Sequence, residues 1–294
     1  MRFDSYHPTI NLIYFAAAIA FTIWFNHTVY TMVAYAAAFA YSVKLNGKKG
    51  LVFNICLIPL VLLYAGFYAY YNHFGVTPLR QNFIGNSITA EALVYGLMLG
   101  FTIAAVIMWM SCVFAVFSSD KVVYLFGKVS PKLSLFLSII LRSVPRIKER
   151  ACKINTAQRG IGRGTGDGNL PARIMNVIRL VSMVVTWTLE NFVESAKSMK
   201  CRGYSLKGRT AFSIYRFDNR DRSVVLTIFV CLTFVAMAVL LDQTFIYYDP
   251  EIIINRITFV SVIFYVAYTA FLLLPMGLQI AGEMKFKRLR ESAV

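Results

Sequence analysis

The sequence predicts an all-α, polytopic integral membrane protein. It has about six transmembrane helices, with two long amphipathic helices on the cytoplasmic side between the fourth and fifth spans. Composition predicts the class: the 294 residues are 58% hydrophobic and only 15% charged, with a mean hydropathy of +0.61. A soluble domain of this size is much less apolar. The spacing of apolar stretches and the clustering of basic residues predict the arrangement of the helices.

Six apolar stretches are near or above the roughly 20 residues that a helix needs to cross a bilayer. In chain order these predicted spans are Ile10–Phe25, Thr28–Val43, Leu51–Tyr71, Ala92–Phe117, Val224–Leu241 and Ile252–Ala281. The first two are short, and Asn26-His27 forms the turn between them. The first span lacks a basic leader beyond Arg2 and a small-residue cleavage site, so we expect it to remain in the mature protein. Ionisable residues are nearly absent from the span interiors, which disfavours an ion-coupled carrier.

The distribution of Lys and Arg predicts that both termini face the cytoplasm, because cytoplasmic loops next to spans are enriched in these residues. The loop at Lys44–Lys49 and the C-terminal tail from Lys285 are basic. By contrast, Asn72–Glu91 and Asp242–Glu251 carry Arg80 as their only basic residue. The protein is therefore expected to cross its membrane several times.

Most of the positive charge lies in one segment. Asp120–Arg222 holds twenty of the thirty Lys and Arg residues against seven acidic residues, so the net charge of +16 is local. Anionic lipid headgroups and the orientation rule account for part of this charge. We predict three regions: 1–118 with the first four spans, 119–222 as a cytoplasmic or interfacial region, and 223–294 with the last two spans and a basic tail.

Two long helices are predicted inside the basic segment, Pro131–Arg159 and Pro171–Arg202, and each runs from apolar to basic and stops at Arg-Gly. The first has an apolar stripe and a basic face at spacings of three and four residues. The stripe is Ile140, Val144, Ile147, Ala151 and Ile154, and the basic face is Arg142, Arg146, Arg150 and Lys153.

The second helix has an apolar stripe formed by Val181, Val185, Leu189, Phe192, Ala196 and Met199. Lys197, Lys200 and Arg202 precede Gly203, as suits the negative end of a helix dipole and the glycine that often follows a helix. We expect the stripes to pack the helices against each other or against the spans. One such end is typical of a solvated helix terminus, but two favour a docking device whose guanidinium groups bind carboxylates.

The sequence has no motif for nucleotide binding, metal binding or catalysis. A P-loop is missing, and the glycines of Gly160–Gly168 alternate after a helix, which favours a flexible linker. The five cysteines lack metal-ligand spacing, and we expect them to be reduced packing residues. They are Cys56, Cys112, Cys152, Cys201 and Cys231. We therefore predict no catalytic residue and no metal site.

The ends of the two basic helices resemble the transmembrane T component of energy-coupling factor (ECF) transporters, the CbiQ-like family. The resemblance is sharpest in Ser195–Tyr204, followed by Gly208-Arg209-Thr210. Ala157-Gln158, with Gly168-Asn169-Leu170 after it, looks like the end of the family's first coupling helix and the start of the next. The family pattern at the first end is roughly Ala-Gln-x-Ala-Arg-Gly. An ungapped alignment puts Ile161 at the usual Arg position, so Arg159 or Arg163 serves instead.

The resemblance implies a non-catalytic subunit of an ATP-driven importer for vitamins or transition metals in a plasma membrane. It docks two ABC-type ATPases through its cytoplasmic coupling helices and holds a membrane-embedded, substrate-binding S component. ATP and Mg are bound by the ATPases, so this chain needs no cofactor, and no nucleic acid is expected. The implied ATPase-docking residues are Cys201, Arg202 and Gly203 with Arg159, Gly160 and Arg163, and the supporting basic residues are Arg142, Arg146, Arg150, Lys153 and Lys200.

Two other functions fit the same residues. The first is the permease of an ordinary ABC transporter, which contacts its ATPases mainly through short loops. The second is a non-transporting membrane scaffold whose basic helices bind anionic lipid or an acidic partner. Reversing the charge of Arg202 separates the scaffold from the ECF transporter: a scaffold should change little, because an exposed charge pair contributes only ~0–1 kcal/mol, whereas a transporter should lose much of its activity.

Overall fold

The computed structural model describes residues 3–81, 87–204, 215, 217–248, 253 and 258–291. These residues form helices almost throughout, which confirms the predicted all-α membrane class. A short 3-10 turn at Phe3–Ser5 precedes the first helix. The helices are α1 Pro8–Trp24, α2 Thr28–Tyr71, α3 Ala90–Val116, α4 Ser119–Val129, α5 Pro131–Gly160, α6 Leu170–Cys201, α7 Asn219–Leu240 and α8 Phe259–Glu291.

Within the described residues, α2, α3, α6, α7 and α8 are long and apolar enough to cross a membrane. The 17-residue α1 is apolar but shorter. By composition α6 belongs to this set, although its basic end led us to predict a cytoplasmic position. Most of the predicted start of the last span, 252–257, lies outside the described residues. Six spans and a cytoplasmic α6 therefore stay predictions.

The long helix α2 folds back on itself at Gly47, whose φ of 59° and ψ of −137° are not helical. The Ser42 hydroxyl donates to Asn54 Oδ1 at 3.2 Å, and Asn54 Nδ2 donates to the Phe39 carbonyl at 3.4 Å. Residues twelve apart in a straight helix are about 18 Å apart. The two arms of α2 are therefore antiparallel, and they correspond to the predicted second and third spans.

α3 packs closely against the second arm of α2 through two glycines four residues apart. A Cβ atom at Gly96 would lie 2.9 Å from Tyr68 Cβ, and one at Gly100 would lie 3.0 Å from Val61 Cγ1. Small residues at this spacing let membrane helices approach each other's backbones. The glycines thus set the distance between these helices.

A two-stranded antiparallel sheet precedes α3, with β1 at Pro78–Gln81 and β2 at Ser87–Thr89. The sequence analysis did not predict it. The Thr89 side chain accepts a hydrogen bond from the Ala92 amide and so caps α3. The sheet belongs to the segment that the basic-residue pattern assigns to the outer side.

The chain divides into two compact units. The first contains residues 3–118 and 215–291 where these are described, and holds α1, α2, α3, α7 and α8. Its core is rich in buried aromatic rings, and the Tyr14 hydroxyl donates to the Leu272 carbonyl of α8 at 2.9 Å. The second unit, residues 119–204 as described, holds α4, α5 and α6. The predicted division at 118 and 222 remains a prediction.

Candidate functional site at the ends of α5 and α6

The C-terminal half of α5 packs against the middle of α6, and the two helices run antiparallel. The Arg150 guanidinium carbon lies 4.9 Å from the centre of the Trp187 ring, and Gln158 Nε2 lies 3.8 Å from Met183 Sδ. As α6 advances from Met183 to Trp187, its partner on α5 moves back from Gln158 to Arg150. A cation–π contact and a thioether contact thus join the two basic helices.

The face that α6 turns towards α5 is not the predicted stripe. Val184 is buried, whereas Val181, Val185 and Leu189 are 52%, 49% and 59% exposed. The stripe of α6 therefore does not pack against α5, and its packing against the spans stays a prediction. Both sides of α6 are apolar, so periodicity alone does not identify the packed side.

On α5, only part of the predicted apolar stripe is covered. Ile147, Ala151 and Ile154 are half-buried on α5, but Ile140 and Val144 are exposed. The covered half of the stripe is the half that lies near α6. Ile140 and Val144, the other half of the stripe, are exposed.

α6 ends in a Schellman motif, a helix terminus closed by a residue in the left-handed conformation. That residue is Gly203, with a φ of 75°. Its amide donates to the Lys200 carbonyl at 3.0 Å, and the Tyr204 amide donates to the Met199 carbonyl at 3.2 Å. Arg202 is the C-cap residue and its side chain is exposed, as is that of Cys201. We call residues 199–204 the second tip.

α5 ends in the same motif, here called the first tip, residues 158–163. Gly162 has a φ of 70°, its amide donates to the Arg159 carbonyl at 3.0 Å, and the Arg163 amide donates to the Gln158 carbonyl at 2.9 Å. α5 ends at Gly160, in agreement with the predicted stop at Arg159-Gly160, but the left-handed glycine that closes the motif is Gly162. Two glycines follow Arg159 closely, and only the backbone conformation shows that Gly162 ends the helix.

The shared motif aligns the two tips residue by residue. Gly162 corresponds to Gly203, and Ile161 therefore stands where α6 has Arg202. By the same register, Arg159 corresponds to Lys200, Gly160 to Cys201 and Arg163 to Tyr204. The register agrees with the ungapped alignment, and the C-cap of the first tip carries no guanidinium. Gly208-Arg209-Thr210, which follows the second tip, lies outside the described residues.

The glycine-rich segment after the first tip is a hydrogen-bonded turn, and its predicted role as a flexible linker stays a prediction. The buried Gly164 donates its amide to Asp167 Oδ2 at 2.9 Å and accepts from Asn176 Nδ2 at 3.1 Å. The Thr165 amide donates to Asn155 Oδ1 at 3.2 Å. A Cβ atom at Gly164 would collide with Arg159 Cγ, so the Arg159 stem lies against this turn. The turn joins α5 to α6 and fixes where Arg159 lies.

The predicted supporting residues are exposed on their helices. They are Arg142, Arg146, Arg150, Lys153 and Lys200. Lys153 Nζ lies 2.6 Å from Glu149 Oε1. This hydrogen bond and the positive charge lower the pKa of the Glu149 carboxyl. The Arg150 guanidinium packs on the Trp187 ring. Arg142 and Arg146, which lie nearer the start of the helix, belong to the same predicted basic face and lie away from this contact.

Among the described residues, no group of three His, Cys, Asp or Glu side chains lies together as a metal site requires. A cleft of about 280 Å³ lies in the first unit. It is lined by Asn26, Phe74, Tyr95, Ile246, Tyr247 and Tyr248. This lining contains no carboxylate and no basic side chain. The tips are therefore the best candidates for a functional site.

Comparison with known proteins gives one family and several relatives. Residues 5–214 match the family model CbiQ, described as "Cobalt transport protein". An "Energy-coupling factor transporter transmembrane protein EcfT" from Lactococcus lactis subsp. cremoris is 31% identical over 100 residues, which cover 34% of this chain and 38% of that protein. Proteins of the same name from Lacticaseibacillus paracasei and Bacillus selenitireducens are 34% identical over 91 residues and 32% identical over 108 residues. These stretches cover 31% and 36% of this chain, and 34% and 40% of those relatives. The alignments thus span well under two-thirds of each relative's length.

Proposed function

The chain belongs to the CbiQ cobalt transport protein family, and on that premise we propose that it is the transmembrane energy-coupling subunit of an ECF-type ABC importer. The membrane subunit of such a transporter is not itself an enzyme. We propose that two partner ATPases bind ATP and Mg and that a separate S component binds a vitamin or a transition-metal ion. Both termini of the chain would face the cytoplasm.

The observation that carries this proposal is the pair of tips with the same backbone motif. Each tip closes a long helix and exposes basic side chains near its end: Arg202 and Lys200 at the second tip, and Arg159 and Arg163 at the first. A rigid helix end with an exposed guanidinium suits insertion into an acidic cleft. We propose that each tip enters a cleft of one ATPase. Cys201 and Gly203 at the second tip, and Gly160 at the first tip, would allow close approach of the ATPase.

The proposed mechanism follows from the length of the two helices. α5 has 30 residues and α6 has 32. At about 1.5 Å per residue, each is a lever roughly 45 Å long. The Arg150–Trp187 and Gln158–Met183 contacts and the hydrogen-bonded turn at Gly164 link the two levers. When the ATPases close on ATP, the tips move together and the helices transmit the displacement to the S component.

The exposed apolar side of α6 supports the proposed contact with a membrane partner. Its residues recur at spacings of three and four and are each more than a third exposed. They are Ile174, Ile178, Val181, Val185, Leu189 and Phe192. If α6 lies outside the bilayer as predicted, an apolar surface of this kind marks an interaction site. We propose that the S component, within the membrane or at its surface, covers this side.

The test is the charge reversal Arg202→Glu in the tagged full-length chain, measured by recovery of ATPase subunits after mild detergent extraction and by solute uptake. A desolvated Arg–carboxylate contact that loses one partner costs about 2–5 kcal/mol. We therefore expect a large loss of ATPase recovery and of uptake. The matched control is Lys132→Glu, which reverses the charge of an exposed residue at the start of α5, outside both tips.

The control distinguishes docking from general electrostatics. A membrane scaffold that binds anionic lipid predicts similar, small effects for both variants, because each removes the same charge from a basic surface. Near-normal ATPase recovery and uptake in Arg202→Glu, at a normal membrane level of the protein, would contradict the proposal.

A further inference from the structure

The cleft of about 280 Å³ in the first unit is walled mainly by aromatic rings. Phe74 comes from the segment between α2 and β1, Tyr95 from α3, and Tyr247 and Tyr248 from the segment after α7. The ring centres of Tyr95 and Tyr248 are 5.0 Å apart with the planes at 54°, and those of Phe74 and Tyr95 are 5.8 Å apart at 77°. Rings tilted against one another in this way form adjoining walls of a cage and not a flat stack.

Hydrogen bonds between the loops hold the cleft in shape. The Ile246 amide donates to the Asn26 carbonyl at 2.8 Å, which ties the segment after α7 to the turn between α1 and α2. The hydroxyl oxygens of Tyr248 and Thr28 are 3.1 Å apart, and the Tyr248 side chain is buried. Tyr247, in contrast, is 68% exposed and forms the wall nearest to solvent. The cleft is therefore pre-formed, as small-molecule sites usually are.

The electrostatics of the cleft favour a cation. The face of an aromatic ring is its negative side, and cations bind over it. Asn26 uses Nδ2 to donate to the Ile246 carbonyl at 3.4 Å, and its Oδ1 accepts from no described residue. The sequence from 242 to 251, which supplies three of the lining residues, contains three acidic residues and neither Lys nor Arg. Acidic surroundings raise the local concentration of cations.

The lining also selects the kind of cation. The described residues that line the cleft include no carboxylate. A metal ion or a primary ammonium group would lose strong hydration here that the lining does not replace. A quaternary ammonium group has no N–H to satisfy, and aromatic cages recognise it through cation–π contacts. The volume of the cleft is near the lower limit of the roughly 300–1,000 Å³ of ligand sites, which suits a small ligand group.

We propose that this cleft binds a trimethylammonium group, carried either by a small solute such as choline or by the choline headgroup of a phospholipid. The rings of Phe74, Tyr95, Tyr247 and Tyr248 contact the methyl groups. The cleft lies between segments that the basic-residue pattern assigns to the outer side, so the ligand enters from that side. This inference does not depend on the proposed function.

The experiment is a calorimetric titration of choline into the tagged full-length chain in nanodiscs of phosphatidylglycerol. The neutral isostere of choline, in which a tert-butyl group replaces the trimethylammonium group, is titrated in parallel. Choline is expected to bind at least about tenfold more tightly, because only the cation gains from the ring faces. Equal affinities, or no binding of choline, would overturn the proposal.

Variants of Tyr247 locate the site. Its backbone is held separately, because the Ile253 amide donates to the Tyr247 carbonyl at 2.9 Å. Tyr247→Leu is expected to weaken choline binding at least about threefold, and Tyr247→Phe, which keeps the ring, to retain most of it. The matched control is Tyr71→Leu, because Tyr71 is 63% exposed at the end of α2 and does not line the cleft. Unchanged binding in Tyr247→Leu, or equal weakening in Tyr71→Leu, would contradict the assigned site.

A second nanodisc preparation distinguishes the two carriers of the trimethylammonium group. Phosphatidylcholine replaces part of the phosphatidylglycerol, and the choline titration is repeated. A fall in the apparent affinity for choline shows that the lipid headgroup competes for the cleft and assigns the site to the lipid. An unchanged affinity assigns the site to a soluble ligand. Either result supports a trimethylammonium site, provided that the neutral isostere binds more weakly.

Discussion

Gly162 and Gly203 are the residues that give the two tips their shape. Both adopt a positive φ, of 70° and 75°, which an L-residue with a side chain reaches only at a cost. That conformation reverses the chain after the helix and leaves the C-cap side chain, Ile161 or Arg202, at the end of the tip. The docking chemistry of Arg202 thus depends on the glycine that follows it.

We predict that Gly203→Ala destabilises the second tip by about 1–2 kcal/mol, because alanine pays the steric cost of the left-handed conformation. The measurement is hydrogen exchange at the amides of residues 203 and 204, which hold the Schellman motif. Faster exchange is expected at both.

Gly160→Ala is the matched control, because Gly160 is helical and a Cβ atom there meets nothing within 4 Å. This change should protect the end of α5 by about 0.4–1 kcal/mol. If both alanine variants shift exchange in the same direction, the assigned helix ends are wrong.

At this scale, the sequence predicted where both helices end, but it did not predict that Gly162 closes the first tip. Arg202-Gly203 is a basic residue followed by the terminating glycine, and the backbone has that arrangement. In Arg159-Gly160-Ile161-Gly162 either glycine could end the helix, and local composition does not distinguish them. In the structure the Arg159 stem lies against the turn at Gly164. This contact depends on tertiary packing, which the local sequence does not show.

At the scale of helices, Gly96 and Gly100 let α3 approach the second arm of α2. The sequence analysis overlooked this Gly-x-x-x-Gly pair, although its spacing is a signal for close helix packing in membranes. The apolar stretches themselves predicted α1, α3, α7 and both arms of α2 closely. The packed side of α6 could not be predicted, because Val184 and Val185 lie next to each other and only one is buried.

We predict that Gly96→Ala lowers the free energy of unfolding by about 1–3 kcal/mol, the usual range for overpacking. The new Cβ atom would lie 2.9 Å from Tyr68 Cβ and 3.1 Å from the Ala65 carbonyl oxygen, and that backbone oxygen cannot move aside cheaply. Thermal unfolding in detergent measures the effect.

Gly66→Ala is the control on the facing helix, because a Cβ atom at Gly66 meets nothing within 4 Å. It should be neutral or slightly stabilising, since alanine favours a helix by up to about 1 kcal/mol over glycine. Equal destabilisation by the two variants would show that the glycines do not set the approach of α3.

At the scale of the whole molecule, native cysteines offer a test of orientation. Cys152 on α5 and Cys201 on α6 are exposed, whereas Cys112 on α3 is buried. If the two tips are cytoplasmic, a membrane-impermeant maleimide should label Cys152 in inside-out vesicles and not in right-side-out vesicles. Cys112 should react only after unfolding.

The substitution Val76→Cys supplies the opposite control. Val76 is 60% exposed and lies in the segment predicted to face outward. The introduced thiol should react only in right-side-out vesicles. Labelling of Cys152 from outside would reverse the predicted orientation, and with it the cytoplasmic docking of ATPases.

The discontinuity of the first unit has a consequence for biosynthesis. The Tyr14 hydroxyl and the Leu272 carbonyl that it contacts are 258 residues apart in the chain. At about 5–20 residues per second, a ribosome needs roughly 13–50 seconds to pass from one to the other. During that interval α1, α2 and α3 are inserted while the whole second unit is still being made. Until α8 has been made, the aromatic surface that it will cover has no partner helix. During this time a membrane chaperone or insertase can shield that surface.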